Sequence, residues 1–281
     1  EERITLASVL RGLTGGISPT EAFLENRTTV HLTDKKMLFS MTVLTNLRIK
    51  RIVRELCRLI GEEEKNHVLI YSYWMYEPAL VSIGLKKRFP NSRLITRAHG
   101  YDLYEERQQN NYVPYRHLVL NTMDRVYPIS ENGRIYLQER YQGKYDNKIE
   151  VGRLGTVRLF SQNNDLQETD IFTIVSCSNL VPLKRVNRII EALKQFDREV
   201  EWIHFGDGEM LENLKAQAEK LPPRIHTHFM GRVPNEEVQR YYSTHWIDAF
   251  VNVSETEGIP VSIMEAQSYG IPVIATNVGG T

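Results

Sequence analysis

The stretch IDAFVNVSETEGIPVSIMEAQSYGIPVIATN, residues 247–277, holds a complete structural step. IDAFVNVS (247–254) is a short apolar run suited to a buried strand. It delivers the chain to a loop, Glu255-Thr256-Glu257-Gly258. Pro260 suits the first turn of a helix, where its missing N–H costs nothing, and PVSIMEAQSYG (260–270) is that helix. IPVIATN (271–277) is the next strand. Such a helix opens with exposed N–H groups and the positive end of a dipole, a ready anion site. Glu257 stands in the loop at its mouth, and Glu265 lies about a turn and a half inside. A carboxylate is a strong acceptor suited to sugar or ribose hydroxyls. The spacing alone also fits a surface loop acid and a solvated helix acid.

The same alternation runs through the second half of the chain. Strand 171–178 leads to helix 185–196, strand 201–206 to helix 209–221, and strand 225–231 to helix 235–244. In open α/β sheets, ligands sit at the carboxyl ends of such strands. The first half alternates too. A helix at 35–60 has apolar residues Leu44, Leu47, Ile52, Val53, Leu56, Leu59 and Ile60 at helical spacing. Strand 67–73, helix 77–89, strand 92–99, helix 113–124, strand 125–130 and helix 131–142 follow, the last with Ser130 as its N-cap. The polar segment SQNNDLQETD (161–170) reads as a linker. The chain therefore divides into an α/β unit over 1–159 and another over 160–281. Both look partial. Leu13-Thr14-Gly15-Gly16 has no clear strand before it, residue 1 is not Met, and the Gly279-Gly280 turn calls for a further element.

Composition narrows the chemistry. The chain has 281 residues, with 35 Lys+Arg against 35 Asp+Glu, so no global field favours nucleic acid. Cys57 and Cys177 match no metal or redox spacing and read as buried or free thiols in a reducing compartment. No apolar run reaches the roughly 18 residues of a spanning helix. The helix at 35–60 carries Lys35, Lys36, Arg48, Lys50, Arg51, Arg54 and Arg58, a solvated face or one for an anionic membrane surface. G-x-G-x-x-G and G-x-x-x-x-G-K-[ST] are both absent, against a dinucleotide oxidoreductase and a P-loop NTPase. Asp-x-Asp is absent as well, so a metal-bridged diphosphate lacks its usual anchor. His226-x-His228 mimics a metal pair but lacks further ligands, and the reading is metal: none.

The spacing Glu257-x7-Glu265, followed by Gly-Ile-Pro-Val-Ile-Ala-Thr and Gly-Gly, resembles the signature of retaining GT-B glycosyltransferases of family 4. SNLVPLKRVNRIIEAL (178–193), FGDGEMLENL (205–214) and HFMGRVPNEEVQRYY (228–242) resemble the loops and helices of that family's donor domain. TRAHGYDLYEE (96–106) resembles its N-domain His-Gly motif. The likeness is strongest over 171–281 and spans most of 67–281.

The resemblance implies an α/β, GT-B fold of two Rossmann-like domains facing across a cleft, the first for acceptor and the second for nucleotide-sugar. It implies a retaining, metal-independent hexosyltransferase in polysaccharide or lipopolysaccharide biosynthesis. The donor is a nucleotide-diphosphate sugar, a substrate rather than a cofactor; the acceptor is a glycan or lipid-linked. By motif, Glu257 contacts hydroxyls of the donor sugar, and N–H groups around Gly258, Ile259 and Val261 face sugar and diphosphate. Glu265 binds the ribose, Lys184 neutralises the diphosphate, and His99 reaches the donor sugar. Arg232 and Val233 hold the base through backbone groups, and Gly206 and Gly208 allow close backbone approach, although plain turn geometry explains these glycines equally well. Arg97 and Asp102 are assigned acceptor or local contacts. The family often carries Gly-Arg ahead of its lysine. Here the pair is Ser178-Asn179, so a guanidinium is missing there and Arg185 is the expected substitute. The location implied is cytoplasmic, with peripheral contact at the inner membrane face. A nucleotide-sugar epimerase, a sugar phosphorylase and a silent nucleotide-sugar-binding module share the same features.

Overall fold

The computed structural model describes residues 17–18, 20–22, 24–25, 35–60, 68–108, 111–163 and 166–281. The glycines expected to open the first unit, Gly15 and Gly16, lie outside them. Two compact units result, residues 1–153 and 154–281; the sequence put the boundary at 159/160.

In the first unit, α1 (Lys35–Leu59) is followed by β1 (Leu69–Ser72), α2 (Glu77–Lys86), β2 (Arg93–Ala98), a short α3 (Gly100–Leu103), α4 (Arg116–Thr122), β3 (Arg125–Pro128) and α5 (Glu131–Arg140). The strands form a parallel sheet in the order β1-β2-β3. Leu94, Ala98 and Val126 are buried within it, against Leu80 and Ile83 of α2 and Leu120 of α4. Ser130 caps α5, its Oγ accepting from the N–H of Gly133. The α1 face differs from its sequence reading. Val43, Asn46, Ile49 and Val53 are buried, while Ile52 and Leu59 face outward. Asn46 belongs on the inner stripe because its side chain exchanges two hydrogen bonds with the Ile17 backbone. Among the described residues no helix is long and apolar enough to cross a membrane.

The second unit contains β4 (Phe172–Cys177), α6 (Asn187–Leu193), β5 (Val200–Phe205), α7 (Leu211–Ala218), β6 (Ile225–Gly231), α8 (Asn235–Thr244), β7 (Ala249–Asn252), α9 (Val261–Ser268) and β8 (Val273–Ala275). All pairings are parallel, in the order β6-β5-β4-β7-β8. Alternate residues of one strand serve opposite faces. Ile174 and Trp202 pack with Ile190 and Leu193 of α6 and Leu214 of α7. Their neighbours Val175 and Ile203 pack with Val238 and Tyr242 of α8 and Ile263 and Ala266 of α9. Both faces are thus covered, which explains why these strands read as continuous apolar runs. The strand order reverses between β4 and β7. Ligand crevices of doubly wound sheets open beyond the carboxyl ends at such a point.

Candidate active site

A pocket of about 360 Å³ opens there in the second unit. Every loop that follows β4, β5, β6 and β7 contributes: Ser178 and Asn179, Gly206 and Asp207, Arg232 and Val233, and Glu257 through Ser262. The chain turns out of β4 into a 3-10 turn, Pro182–Lys184, which carries Lys184 to the wall. Its Nζ donates to Glu257 Oε1 at 2.6 Å, and Asn252 Nδ2 donates to the same oxygen at 3.3 Å. The two side chains keep only 23% and 9% of their surface exposed, so this pair is held well away from bulk solvent. An ammonium has three donors. One is used on Glu257 among the described residues, leaving capacity for an anion. Val261 and Ser262, the first residues of α9, also line the pocket and bring its positive dipole end there. Pro260 is the N-cap rather than part of the first turn, and its carbonyl accepts from the N–H groups of Ile263 and Met264.

The loop bearing Glu257 is held from behind by Gly279 and Gly280. A Cβ on Gly279 would stand 2.0 Å from the Glu257 carbonyl oxygen, and one on Gly280 would stand 1.9 Å from that of Gly258. The Gly-Gly pair is therefore where two backbones touch, and any side chain there displaces the loop. Gly206 is similar: it turns at φ +141°, and a Cβ would lie 1.9 Å from the Ser178 carbonyl oxygen. Gly208 packs on the Leu180 backbone. These contacts are protein on protein, so the turn reading of both glycines accounts for them, while Gly206 also lines the pocket.

The sequence-derived residues divide clearly. Asn179, Lys184, Gly206, Arg232, Val233, Glu257, Ile259 and Val261 line one pocket. Gly258 lies between two lining residues. Glu265 does not reach the lining. It is buried at 8% exposure, where Asn235 Nδ2 donates to its Oε1 at 2.9 Å, and burial raises its carboxyl above the usual range. The solvated-acid reading of Glu265 is thereby corrected. Arg185 is not a pocket residue either. It adopts a left-handed conformation, φ 47°, unfavourable for a long side chain. Its guanidinium donates to the carbonyls of Val253 and Ser254 at 2.9 and 3.1 Å. It ties the Lys184 turn to the end of β7, and Arg232 is the guanidinium residue in the wall.

A further support was not legible in the sequence. Trp202 Nε1 donates to Ser176 Oγ at 2.9 Å; Ser176 Oγ meets His204 Nδ1 at 2.8 Å; His204 Nε2 meets the Ser178 carbonyl at 3.1 Å. Assigning protons to satisfy the chain makes His204 the Nε2–H tautomer. Burial depresses this imidazole to about 4, so it stays neutral and anchors the Ser178 loop. Nothing in a lone His204 between apolar residues signals this. Cys177 also lines the pocket, but burial, then the charge of Glu265, pushes its thiol up to about 11, which removes its nucleophilic form.

In the first unit, His99 directly follows β2 and stands at the N-cap position of α3. It is 7% exposed, and neither ring nitrogen has a hydrogen-bond partner among the described residues. Its ring lies 4.6 Å from that of Tyr73 and 4.2 Å from that of Trp74, centroid to centroid. Burial, then the charge of Arg97, lowers it to about 4. Asp102 fixes the local backbone, accepting from the N–H groups of His99 and Met75 at 2.6 and 2.5 Å. The Arg116 guanidinium donates to its carbonyl. The sequence reading passed over Tyr73 and Trp74, although four aromatics in six residues, Tyr71 to Tyr76, was a signal. His226 and His228 face Glu199, just before β5, and Glu201 within it, at 3.1 and 3.2 Å. Among the described residues no three His, Cys, Asp or Glu side chains gather as a metal site.

Several known proteins are similar to this chain. Residues 159–281 match the family model for glycosyl transferases group 1. An uncharacterized glycosyltransferase of Haemophilus influenzae is 28% identical over 167 residues, 58% of this chain and 44% of its own length. The GDP-mannose-dependent alpha-(1-6)-phosphatidylinositol monomannoside mannosyltransferase of Mycobacterium tuberculosis is 31% identical over 118 residues, 38% of this chain and 30% of its own. The matches thus span less than half the length of these curated relatives. Anabaena Alr3699/HepE, solved in complex with UDP and glucose, superposes with a TM-score of 0.61 at 18% identity, covering 94% of this chain and 78% of that one. The architecture is therefore α/β of the GT-B type, and residues 159–281 are similar to the glycosyl transferases group 1 family.

Proposed function

We propose that the chain transfers a hexose from a nucleotide-diphosphate sugar to a glycan or lipid-linked acceptor, with retention of anomeric configuration. The observation that carries this is the Lys184–Glu257 pair beside the start of α9. It sets a cation for the diphosphate next to a carboxylate for sugar hydroxyls. The departing nucleotide diphosphate gains negative charge in the transition state, and in this reading Lys184, Arg232 and the α9 terminus stabilise it without a metal ion. Glu257 and the backbone around Gly258, Ile259 and Val261 hold the sugar. The base sits against Arg232 and Val233. Glu265, poorly solvated and able to accept, serves the ribose. His99 is assigned to the same reaction. Attack is front-side, and the leaving diphosphate itself takes the acceptor's proton, so no separate base is required. The UDP and glucose of the Anabaena neighbour and the GDP-mannose dependence named for the Mycobacterium relative support the substrate class. Arg51 and Arg54 on the outer face of α1, with exposed Leu59, support a cytoplasmic enzyme resting on an anionic membrane.

Incubation with UDP-, GDP- and ADP-hexoses and candidate acceptors, with chelator present, tests this by NMR of the anomeric proton. A glycoside with the donor's anomeric configuration is expected. Inverted product, or a sugar isomer formed without acceptor, contradicts the reading. Nucleotide binding with no turnover would make the chain a silent module.

A further inference from the structure

Glu265 is the end of a hydrogen-bond chain that starts on the backbone near the beginning of the second unit. The N–H of Leu159 donates to Gln239 Oε1 at 3.1 Å, and the Tyr269 hydroxyl donates to the same oxygen at 3.0 Å. Gln239 Nε2 donates to Asn235 Oδ1 at 2.9 Å, and Asn235 Nδ2 donates to Glu265 Oε1 at 2.9 Å. The N–H of Phe160 donates to the Tyr269 hydroxyl at 3.2 Å. The direction of this chain is forced. A backbone N–H can only donate, so the amide oxygen of Gln239 must face Leu159 and its nitrogen must face Asn235. Reversing Gln239, which is 2% exposed, would set two donors together at Leu159 and two oxygens together at Asn235. The same constraint turns the nitrogen of Asn235 toward the carboxylate.

Both ends of the chain are placed. Residues 158–163 form no helix or strand, yet they are held on α8 and on Tyr269, just after α9. The Arg158 guanidinium lies 5.0 Å over the Tyr269 ring, and that of Arg240 lies 4.4 Å over the Phe160 ring. The N–H of Asn163 donates to the Ser243 carbonyl at 3.0 Å. At the other end, Glu265 stands one helical turn in from Ser262, and Asn235 one turn before Val238; Ser262 and Val238 both line the pocket. Asn235 takes Oε1 of Glu265, and Oε2 has no hydrogen-bond partner among the described residues.

We propose that Asn235 and Gln239 are positioning residues of the nucleotide site: they carry the fixed donor direction of the Leu159 backbone to Glu265 and so set its Oε2 to accept from the ribose hydroxyls of a nucleoside diphosphate. A carboxylate anchored through one oxygen has its plane fixed, and the second oxygen then meets a hydroxyl without further ordering. The segment 158–163 is accordingly a support of the site. The proposal rests on the assignment of Glu265 to the ribose.

The test is calorimetric titration of the protein with UDP, GDP and ADP and with their 2′,3′-dideoxy forms. The ribonucleotide that binds should do so about tenfold more tightly than its dideoxy form, and Glu265→Ala should erase that preference. Asn235 is exposed, so Asn235→Ala leaves the core intact. It should lower ribonucleotide affinity about fivefold to tenfold and leave dideoxynucleotide affinity unchanged. Gln239→Leu, one step more remote, should act in the same sense by about threefold. On a Glu265→Ala background neither substitution should lower affinity further. Equal losses of ribonucleotide and dideoxynucleotide affinity in both variants, or no loss in either while Glu265→Ala erases the preference, overturns the positioning role. A preference for the ribonucleotide that survives Glu265→Ala refutes the ribose assignment on which the role rests, and binding of no nucleotide refutes the donor site itself.

Discussion

Among the described residues each unit buries one histidine close to the carboxyl end of a strand, and the two share a depressed pKa, yet they are opposites. His204 and His99 are both buried, and burial lowers both to about 4. His204 has a partner on each nitrogen, and those partners hold the Ser178 loop. His99 has none among the described residues and sits under exposed aromatic rings. A shifted pKa therefore does not separate a structural histidine from a functional one. Satisfaction of its hydrogen bonds does: a satisfied buried group stabilises the fold, and an unsatisfied one points to what the fold is built to meet.

The largest effect expected lies outside both histidines and sharpens what the His204 region supports. Lys184→Ala should lower turnover by about 10²–10³-fold, the usual consequence of removing one donor to developing charge; near-normal rates would remove Lys184 from the reaction. Next comes the histidine comparison itself, read by urea unfolding. His204→Phe should cost about 2–3 kcal/mol, because Ser176 and the Ser178 carbonyl lose their buried partner. His99→Phe should leave stability within about 1 kcal/mol of the wild type while turnover falls. Equal stability losses in the two variants would erase the distinction.

A smaller effect concerns Glu265. Burial raises its folded-state pKa above the ordinary carboxylate range. Stability from such a group is fully present below the unfolded pKa and is lost as pH rises through the folded one. Glu265→Gln should therefore unfold like the wild type at pH below the ordinary carboxylate range and become relatively more stable as pH rises through and above it. Its nucleotide affinity should fall about tenfold, a cost of about 1.4 kcal/mol. A variant destabilised at pH 7 would show that the carboxylate serves the fold instead.

Much of the second unit was legible because its chemistry is local. β6 and α8 occupy the ranges their patterns predicted, and the other strands and helices differ by a few residues at their ends, where caps and tight turns replace regular geometry. Lys184 and Glu257, 73 residues apart, come together because each follows a strand of one parallel sheet. Arg185 was misread because sequence adjacency to Lys184 says nothing of a left-handed turn that sends its guanidinium to Val253 and Ser254. The stripe on α1 was displaced for a similar reason: Asn46 is buried by a bond to a residue 29 positions away. The His204 relay joins three neighbouring elements through side chains and leaves no periodic trace.

The central claim is that the pocket beside Lys184 and Glu257 holds a nucleoside diphosphate. Calorimetric titration of the protein with UDP, GDP and ADP, without added metal, tests it most directly. The account predicts selective binding of one of them, weakened by Lys184→Ala and by Glu265→Ala. Binding of none, or binding that both variants leave unchanged, would contradict it.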